Sequence, residues 1–280
     1  MDWISESDEH PTVTYAKTYT GNKLMLPPKP ENWTRFVCFS DTHGKHTRIS
    51  HDHIIEADVL LHGGDFTSTG RISDVQSFNK WLLEYPAKHK VVIAGNHDIT
   101  FDKEFYLKNY KRFMHRNPEY SDEAKNNLIQ NNACHYIEDE LIEIEGYKIY
   151  GSPHQPTFCN WAFNLERGPE INQKWKMIPD EVDILMTHGP IFGHGDTTCF
   201  GSKVGCEDLR RHVMNRILNP IHVFGHIHED YGTTMEDGVV FINASTCNKF
   251  HKPLNAPVVL DLPPVDILRR QYREEREKHA

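Results

Sequence analysis

The chain has 280 residues, 38% of them hydrophobic, and a formal net charge of −9; that is enough for one large core and an ordinary size for a single α/β domain. The negative balance argues against affinity built from many contacts along a nucleic-acid backbone, so long nucleic acid is not the expected partner, whereas a small phosphate ester is compatible with it. No run approaches the roughly 18 apolar residues of a membrane-spanning helix, the acidic start is unlike a secretory signal, and the six cysteines are scattered without a Cys-x-x-Cys pair, which together predict no membrane partner and a reduced, cytoplasmic setting.

Residues 1–34 mix Thr, Lys and Pro and read as an extended arm that ends in an edge strand over residues 12–18. Arg35-Phe36-Val37-Cys38-Phe39-Ser40 is the first convincing strand, nearly all apolar as in a strand covered on both faces. It runs into Asp41-Thr42-His43-Gly44, where an Asp and a His two residues apart can chelate one cation and Gly44 lets the chain turn away. His46, His51 and His53 follow in a polar, solvated loop. The second strand, Asp58-Val59-Leu60-Leu61-His62, leads to Gly63-Gly64-Asp65, and the two oxygens of a carboxylate can bridge two cations. A helix with Val75, Phe78, Trp81, Leu82 and Tyr85 on one stripe comes next, capped by Ser73 or Asp74 and stopped at Pro86. Val91-Val92-Ile93-Ala94 is the third strand, ahead of Gly95-Asn96-His97-Asp98.

Residues 101–131 turn helical, with Phe105, Tyr110, Phe113 and Met114 as a buried stripe and Pro118 before a second helix over residues 122–131. Alternating apolar residues on either side of Glu145-Gly146 predict a β-hairpin, so the sheet is not purely parallel. Residues 151–175 form a long irregular stretch, the usual character of a lid or binding loop. Asp183-Ile184-Leu185-Met186-Thr187 is a strand ending on His188-Gly189-Pro190. A helix near residues 206–218 buries Leu209, Val213, Met214 and Ile217, and Ile221-His222-Val223-Phe224 delivers His226 and His228. Residues 239–242 and 257–260 read as closing strands and residues 266–280 as a solvated charged helix or frayed end.

Five strands therefore end on residues that a metal can use. Strands alternating with helices imply α/β architecture, whose sites gather at the carboxyl ends of strands. Carboxylates, an amide and imidazoles without a thiolate suit Mn²⁺, Fe or Zn²⁺. The set is too large for one cation and about right for two. Two cations roughly 3.5–4 Å apart can hold a phosphate, bridge a hydroxide made nucleophilic at neutral pH and stabilise the charge of the transition state.

In order, Asp41-x-His43, Gly64-Asp65, Gly95-Asn96-His97-Asp98, His188-Gly189 and Gly225-His226-x-His228 resemble the signature of the calcineurin-like metallophosphoesterases. The resemblance implies two packed mixed β-sheets flanked by helices, with the catalytic domain over residues 35–262 between the arm and a charged tail over residues 263–280. It assigns Asp41, His43, Asp65 and His228 to one metal and Asp65, Asn96, His188 and His226 to the other, eight roles on seven residues, and gives His97 the phosphate. There the catalytic role of His97 has two forms, donating a hydrogen bond or proton to the departing oxygen or holding a phosphate oxygen; Asp98 beside it could orient the ring, although neighbours in an extended segment point apart. The words around Asp41, Asn96, His188 and Ile242-Asn243-Ala244-Ser245-Thr246-Cys247 are similar to the metallophosphoesterase-domain-containing proteins, a branch associated with phosphodiester hydrolysis, including that of cyclic nucleotides. Some members of that branch are weakened by a Gly in place of the first His of the Gly-His-x-His pair; this chain has His226. Asn164-Leu165-x-Arg167-Gly168 resembles the branch's word in the long loop, which makes Asn164 and Arg167 candidates for the substrate pocket, Arg167 equally for a surface ion pair; His62 is weighed for the pocket too, and more as a hydrogen-bonding group behind the metal ligands. Neither the Val-Asp-Arg-Gly run of protein phosphatases nor the Tyr of purple acid phosphatases is present after Asp65. The reading from another class is a catalytically silent scaffold on the same fold.

Overall fold

The computed structural model describes residues 16–20, 23 and 26–279. Its strands are β1 (Lys17–Thr20), β2 (Thr34–Phe39), β3 (Ala57–His62), β4 (Ala87–Val92), β5 (His135–Tyr136), β6 (Glu140–Ile144), β7 (Tyr147–Ser152), β8 (Gln155–Pro156), β9 (Asn164–Leu165), β10 (Ile184–Thr187), β11 (Ile221–Phe224), β12 (Gly232–Glu236), β13 (Val239–Asn243) and β14 (Val258–Leu262). The helices are α1 (Ile72–Glu84), α2 (Lys103–Asn109), α3 (Tyr120–Ile129), α4 (Pro169–Trp175), α5 (Glu207–Asn215) and α6 (Val265–His279).

Two six-stranded sheets, ordered β1-β14-β2-β3-β4-β5 and β12-β13-β11-β10-β7-β6, pack on one another, and β8 pairs with β9 beside them. Both sheets are mixed: β2, β3, β4 and β5 run parallel with β14 antiparallel to β2, while β7, β10, β11 and β13 run parallel with β6 and β12 antiparallel at the edges. The period-two alternation of a strand explains the unbroken apolar runs. Phe36, Cys38, Val59, Leu61, Val91 and Ile93 point into the core shared with Ile149, Ile184, Met186, Ile221 and Val223 of the other sheet. Their neighbours Val37, Phe39, Leu60, Val92 and Ala94 pack under Val75, Phe78 and Leu82 of α1 and Tyr106 of α2.

Several expectations are corrected. α1 begins at Ile72 behind Arg71 with no side-chain cap, so neither Ser73 nor Asp74 caps it. The third strand starts at Ala87 and ends at Val92; its first half is only partly covered, which hides it in a stretch of Lys and His. Met114 has a left-handed φ of 59° and is 79% exposed, so it leaves the stripe, whereas Phe113 is buried. His46 is buried against Ser77, Phe78 and Trp81 rather than solvated. Residues 12–15 of the expected edge strand lie outside the described residues, and Lys17–Thr20 pairs antiparallel with β14. The charged tail is not free: α6 buries Leu268 and Tyr272, and the Arg269 guanidinium donates to both Asp183 oxygens at 2.9 and 2.7 Å. Among the described residues no helix is long and apolar enough to cross a membrane.

Asp139 fastens β7, the loop after it and α4, accepting from Ser152 Oγ (2.6 Å), His154 Nε2 (3.2 Å) and Lys174 Nζ (2.6 Å). Burial would push its carboxyl up, but His154, Lys174 and Ser152 hold it below the usual carboxylate range. Because the folded pKa is depressed, the stabilisation is present above the unfolded value near 4 and is lost as the pH falls toward the folded one. Lys174 stays 32% exposed, so Asp139→Ala is expected to cost about 2 kcal/mol at pH 7, less than the ~3–5 kcal/mol of a fully buried pair. Urea unfolding at pH 7 and pH 3 checks both the size and the shrinkage in acid.

Candidate metal centre

The loops after β2, β3, β4, β10 and β11 meet at one end of the two sheets. They are stitched together by backbone hydrogen bonds: Asp41 N–H to Gly64 O (2.9 Å), Gly63 N–H to Phe39 O (2.8 Å), Gly225 N–H to His188 O (2.9 Å) and Thr246 N–H to Ser40 O (2.8 Å). The last of these joins one sheet to the other. Crowding explains the glycines: a Cβ on Gly95 would collide with the Asp65 carboxylate and the His188 ring, and one on Gly225 with the Asp41 carboxylate. Asp41, His43, Asp65 and His226 all have left-handed φ values, 51°, 44°, 54° and 68°. Such backbone is costly for non-glycine residues and persists where surrounding structure enforces it, commonly at functional sites.

All seven expected ligands come together. His43 Nε2 lies 3.1 Å from His228 Nε2, 3.9 Å from Asp41 Oδ1 and 3.8 Å from Asp65 Oδ2. His228 Nε2 is 3.3 Å from Asp41 Oδ1. On the other side of Asp65, His188 Nε2 is 3.5 Å from the same Oδ2 and 3.0 Å from Asn96 Oδ1, and the His226 ring centroid is 5.0 Å from that of His188. A backbone carbonyl can only accept, so the Nδ1 atoms of His188 (2.9 Å from Gly63 O) and His228 (3.2 Å from Asn248 O) carry protons. Their Nε2 atoms are left for the site, the usual way a ligating imidazole is oriented.

Burial would push the Asp41 carboxyl up, but His228, His188 and His43 hold it well below the usual range. Burial pulls the His188 imidazole down, yet Asp65 and Asp41 outweigh it and lift it to about 9. Burial prevails at His226, lowered to about 3, and at His43, lowered well below the usual value. Two buried carboxylates, an amide oxygen and four imidazoles form a donor set that divalent cations satisfy, and the residues fit two such ions sharing Asp65.

His97 lies at the rim. Its N–H donates to Asp65 Oδ1 (2.7 Å), its Nδ1 to Ser68 O (2.9 Å), and its ring stacks on Trp161 at 4.1 Å and 27°. Asp98 does not orient that ring: its carboxylate accepts from the Gly95 and Thr67 N–H groups (both 2.9 Å) and from Thr67 Oγ1 (2.7 Å), tying together the loops after β3 and β4.

Three residues weighed for the substrate pocket do not line the cleft. His62 is fully buried, with Nε2 on Thr42 Oγ1 (3.1 Å) and its ring against Phe78, beneath the site rather than in it. Asn164 spends its amide inside the long loop, donating to Phe158 O and Cys159 O and accepting from Gln155. The Arg167 guanidinium donates to Val204 O (2.7 Å) and Gly205 O (2.8 Å), bracing the loop that precedes α5. In their place a cleft of about 200 Å³ over the cluster is lined by Phe158, Glu229, Lys249 and His251 besides the expected histidines. The long loop does reach the site, through Phe158. No strand pattern marks any of these four; Lys249 and His251 follow the Asn243–Cys247 word by only a few residues.

The calcineurin-like phosphoesterase family model matches residues 34–230. Metallophosphoesterase domain-containing protein 1 of Homo sapiens is 44% identical over 243 residues, covering 84% of this chain and 73% of that protein. A UPF0046 protein of Caenorhabditis elegans is 38% identical over 269 residues, covering 90% and 92%. Among solved structures, TT1561 of Thermus thermophilus aligns with TM-score 0.50 at 12% identity over 75% of this chain and 88% of its own, a likeness of fold alone.

Proposed function

The chain belongs to the calcineurin-like phosphoesterase family, and we propose that it is a two-metal hydrolase of small phosphodiesters, cyclic nucleotides among them. The observation that carries this is the position of one atom: Asp65 Oδ2 lies between His188 Nε2 (3.5 Å) and His43 Nε2 (3.8 Å), one from each half of the donor set. Asp41, His43, Asp65 and His228 would hold one ion, Mn²⁺, Fe or Zn²⁺, and Asp65, Asn96, His188 and His226 the other. Bound there, the ions supply Lewis-acid activation of the phosphoryl group and of water near neutral pH. The residues themselves fix the orientation: Ser245 Oγ (3.0 Å) and His226 N–H (2.9 Å) donate to Asp41 Oδ2 and hold it in place. His97 stands at the rim for the phosphate.

Preference for diesters rests on the kinship and on the surroundings of the cleft. A groove of about 570 Å³ adjoins it and shares His228, Glu229 and Lys249 with it, which leaves room for a second ester arm. The net charge of −9 disfavours long nucleic acid. The test is kcat/KM on a panel of mono- and diesters after metal analysis of the purified protein. The expected result is a higher kcat/KM for at least one small diester than for every monoester and phosphoprotein tried; the reverse order would overturn the diester reading.

A further inference from the structure

We propose that His251 is an additional ligand of the cation held by Asp41, His43, Asp65 and His228, so that this half of the centre presents three imidazoles. The inference rests on the two-metal reading above. The ring centroids of His43, His228 and His251 form a nearly equilateral triangle, with sides of 5.0, 4.9 and 5.1 Å. One ring nitrogen from each lies within 4.8 Å of the other two. Imidazoles bound at about 2.0–2.1 Å to a shared ion make a cluster of about this size.

The turn that carries His251 is built around the site. His251 N–H donates to Asn248 O (2.8 Å), Asn248 N–H donates to Lys252 O (2.9 Å), and Asn248 Oδ1 accepts from the N–H groups of Phe250 (3.0 Å) and Lys252 (3.2 Å). Lys45, two residues beyond His43, donates its ammonium to His251 O (2.6 Å). The Asn248 carbonyl that shapes the turn is also the one that fixes the tautomer of His228. One short segment therefore orients one imidazole of the cluster and supplies another. His251 is held at a φ of +52°, a conformation that a non-glycine residue keeps only when its surroundings impose it. Its ring is exposed and lies against two other imidazoles, with no hydrogen-bond partner for the ring among the described residues.

The two ion positions then differ in character. One has three nitrogens and two carboxylates; the other has two nitrogens, an amide and the shared carboxylate. Imidazole-rich sites favour Zn²⁺, Co²⁺ or Fe over Mn²⁺, so the first position should select the softer ion.

The test is titration of the metal-free full chain with Co²⁺, followed by visible absorption and calorimetry. The unaltered protein is expected to take up two equivalents. In His251→Ala one equivalent should bind about tenfold or more weakly, with a changed absorption band, while the other is unaffected; His251→Gln, which keeps a polar group in the exposed turn, should also fail to restore the band. Two equivalents with unchanged affinity and spectrum in His251→Ala would overturn the role of His251 and leave the two-metal reading standing. Fewer than two equivalents in the unaltered protein would overturn both.

Discussion

Asp65→Ala is expected to lose both cations together and to reduce turnover by at least about 10²–10³-fold, the scale on which removing a principal stabiliser of transition-state charge is felt. Asp65 is placed to serve both ion positions, because one of its oxygens stands 3.5 Å from His188 and 3.8 Å from His43. Losing Asn96 or His226 weakens one ion position; losing Asp65 removes a charge from both. Its other oxygen accepts the His97 N–H at 2.7 Å, so the substitution also loosens the residue at the phosphate rim. The same geometry sets a pH dependence for metal uptake. Asp65 and Asp41 overcome the effect of burial and hold His188 protonated, with its pKa raised to about 9, so an incoming cation displaces a proton and apparent affinity rises with pH. Elemental analysis beside kinetics decides the point: two equivalents retained in Asp65→Ala, with turnover near that of the unaltered chain, would remove the bridging role. Chelation of the unaltered chain should abolish turnover, and Mn²⁺ should restore it.

What could be read from the amino-acid order, and what could not, follows from how each residue is placed. Asp41, Asp65, Asn96, His188 and His226 each end or follow an apolar strand, and parallel strands deliver their ends to one side of a sheet; the pattern therefore carries the position. His62 shows where that logic fails. It ends β3 as visibly as Asp41 or His188 follow their strands, but the one-residue alternation turns its ring away from the cluster and onto Phe78. Asn164 and Arg167 stand in a word that resembles the branch's, yet such a word does not say whether an amide or guanidinium meets a substrate or the backbone carbonyls of loops, as both do here. Phe158 and His251 were invisible for the converse reason: irregular turns bring them in, and the hydrogen bonds that shape those turns have no periodic trace. The amphipathic burial of Leu268 and Tyr272 in α6 was masked by the charge of the segment around them.

His97→Ala should slow hydrolysis of a diester with an alkoxide leaving group by about 10²–10⁴-fold, the usual contribution of general-acid help, and should slow a nitrophenyl diester far less. The surroundings of the residue support this expectation. A carbonyl takes its Nδ1–H at 2.9 Å, Trp161 stacks on its face at 4.1 Å, and its ring sits 4.6 Å from that of His43, so a single edge with Nε2 is available to the cleft. An imidazole N–H facing the cleft can lend a proton to a departing oxygen and recover it from solvent. A nitrophenolate is stable enough to leave without that proton, whereas an alkoxide is not. A residue that only gripped a phosphate oxygen would serve both esters alike, because the phosphate is common to them. Metal analysis must first show that His97→Ala keeps two equivalents, since the loop it stands on also carries Asn96. With the ions in place, unequal losses assign the proton to His97, and equal losses leave it the phosphate alone.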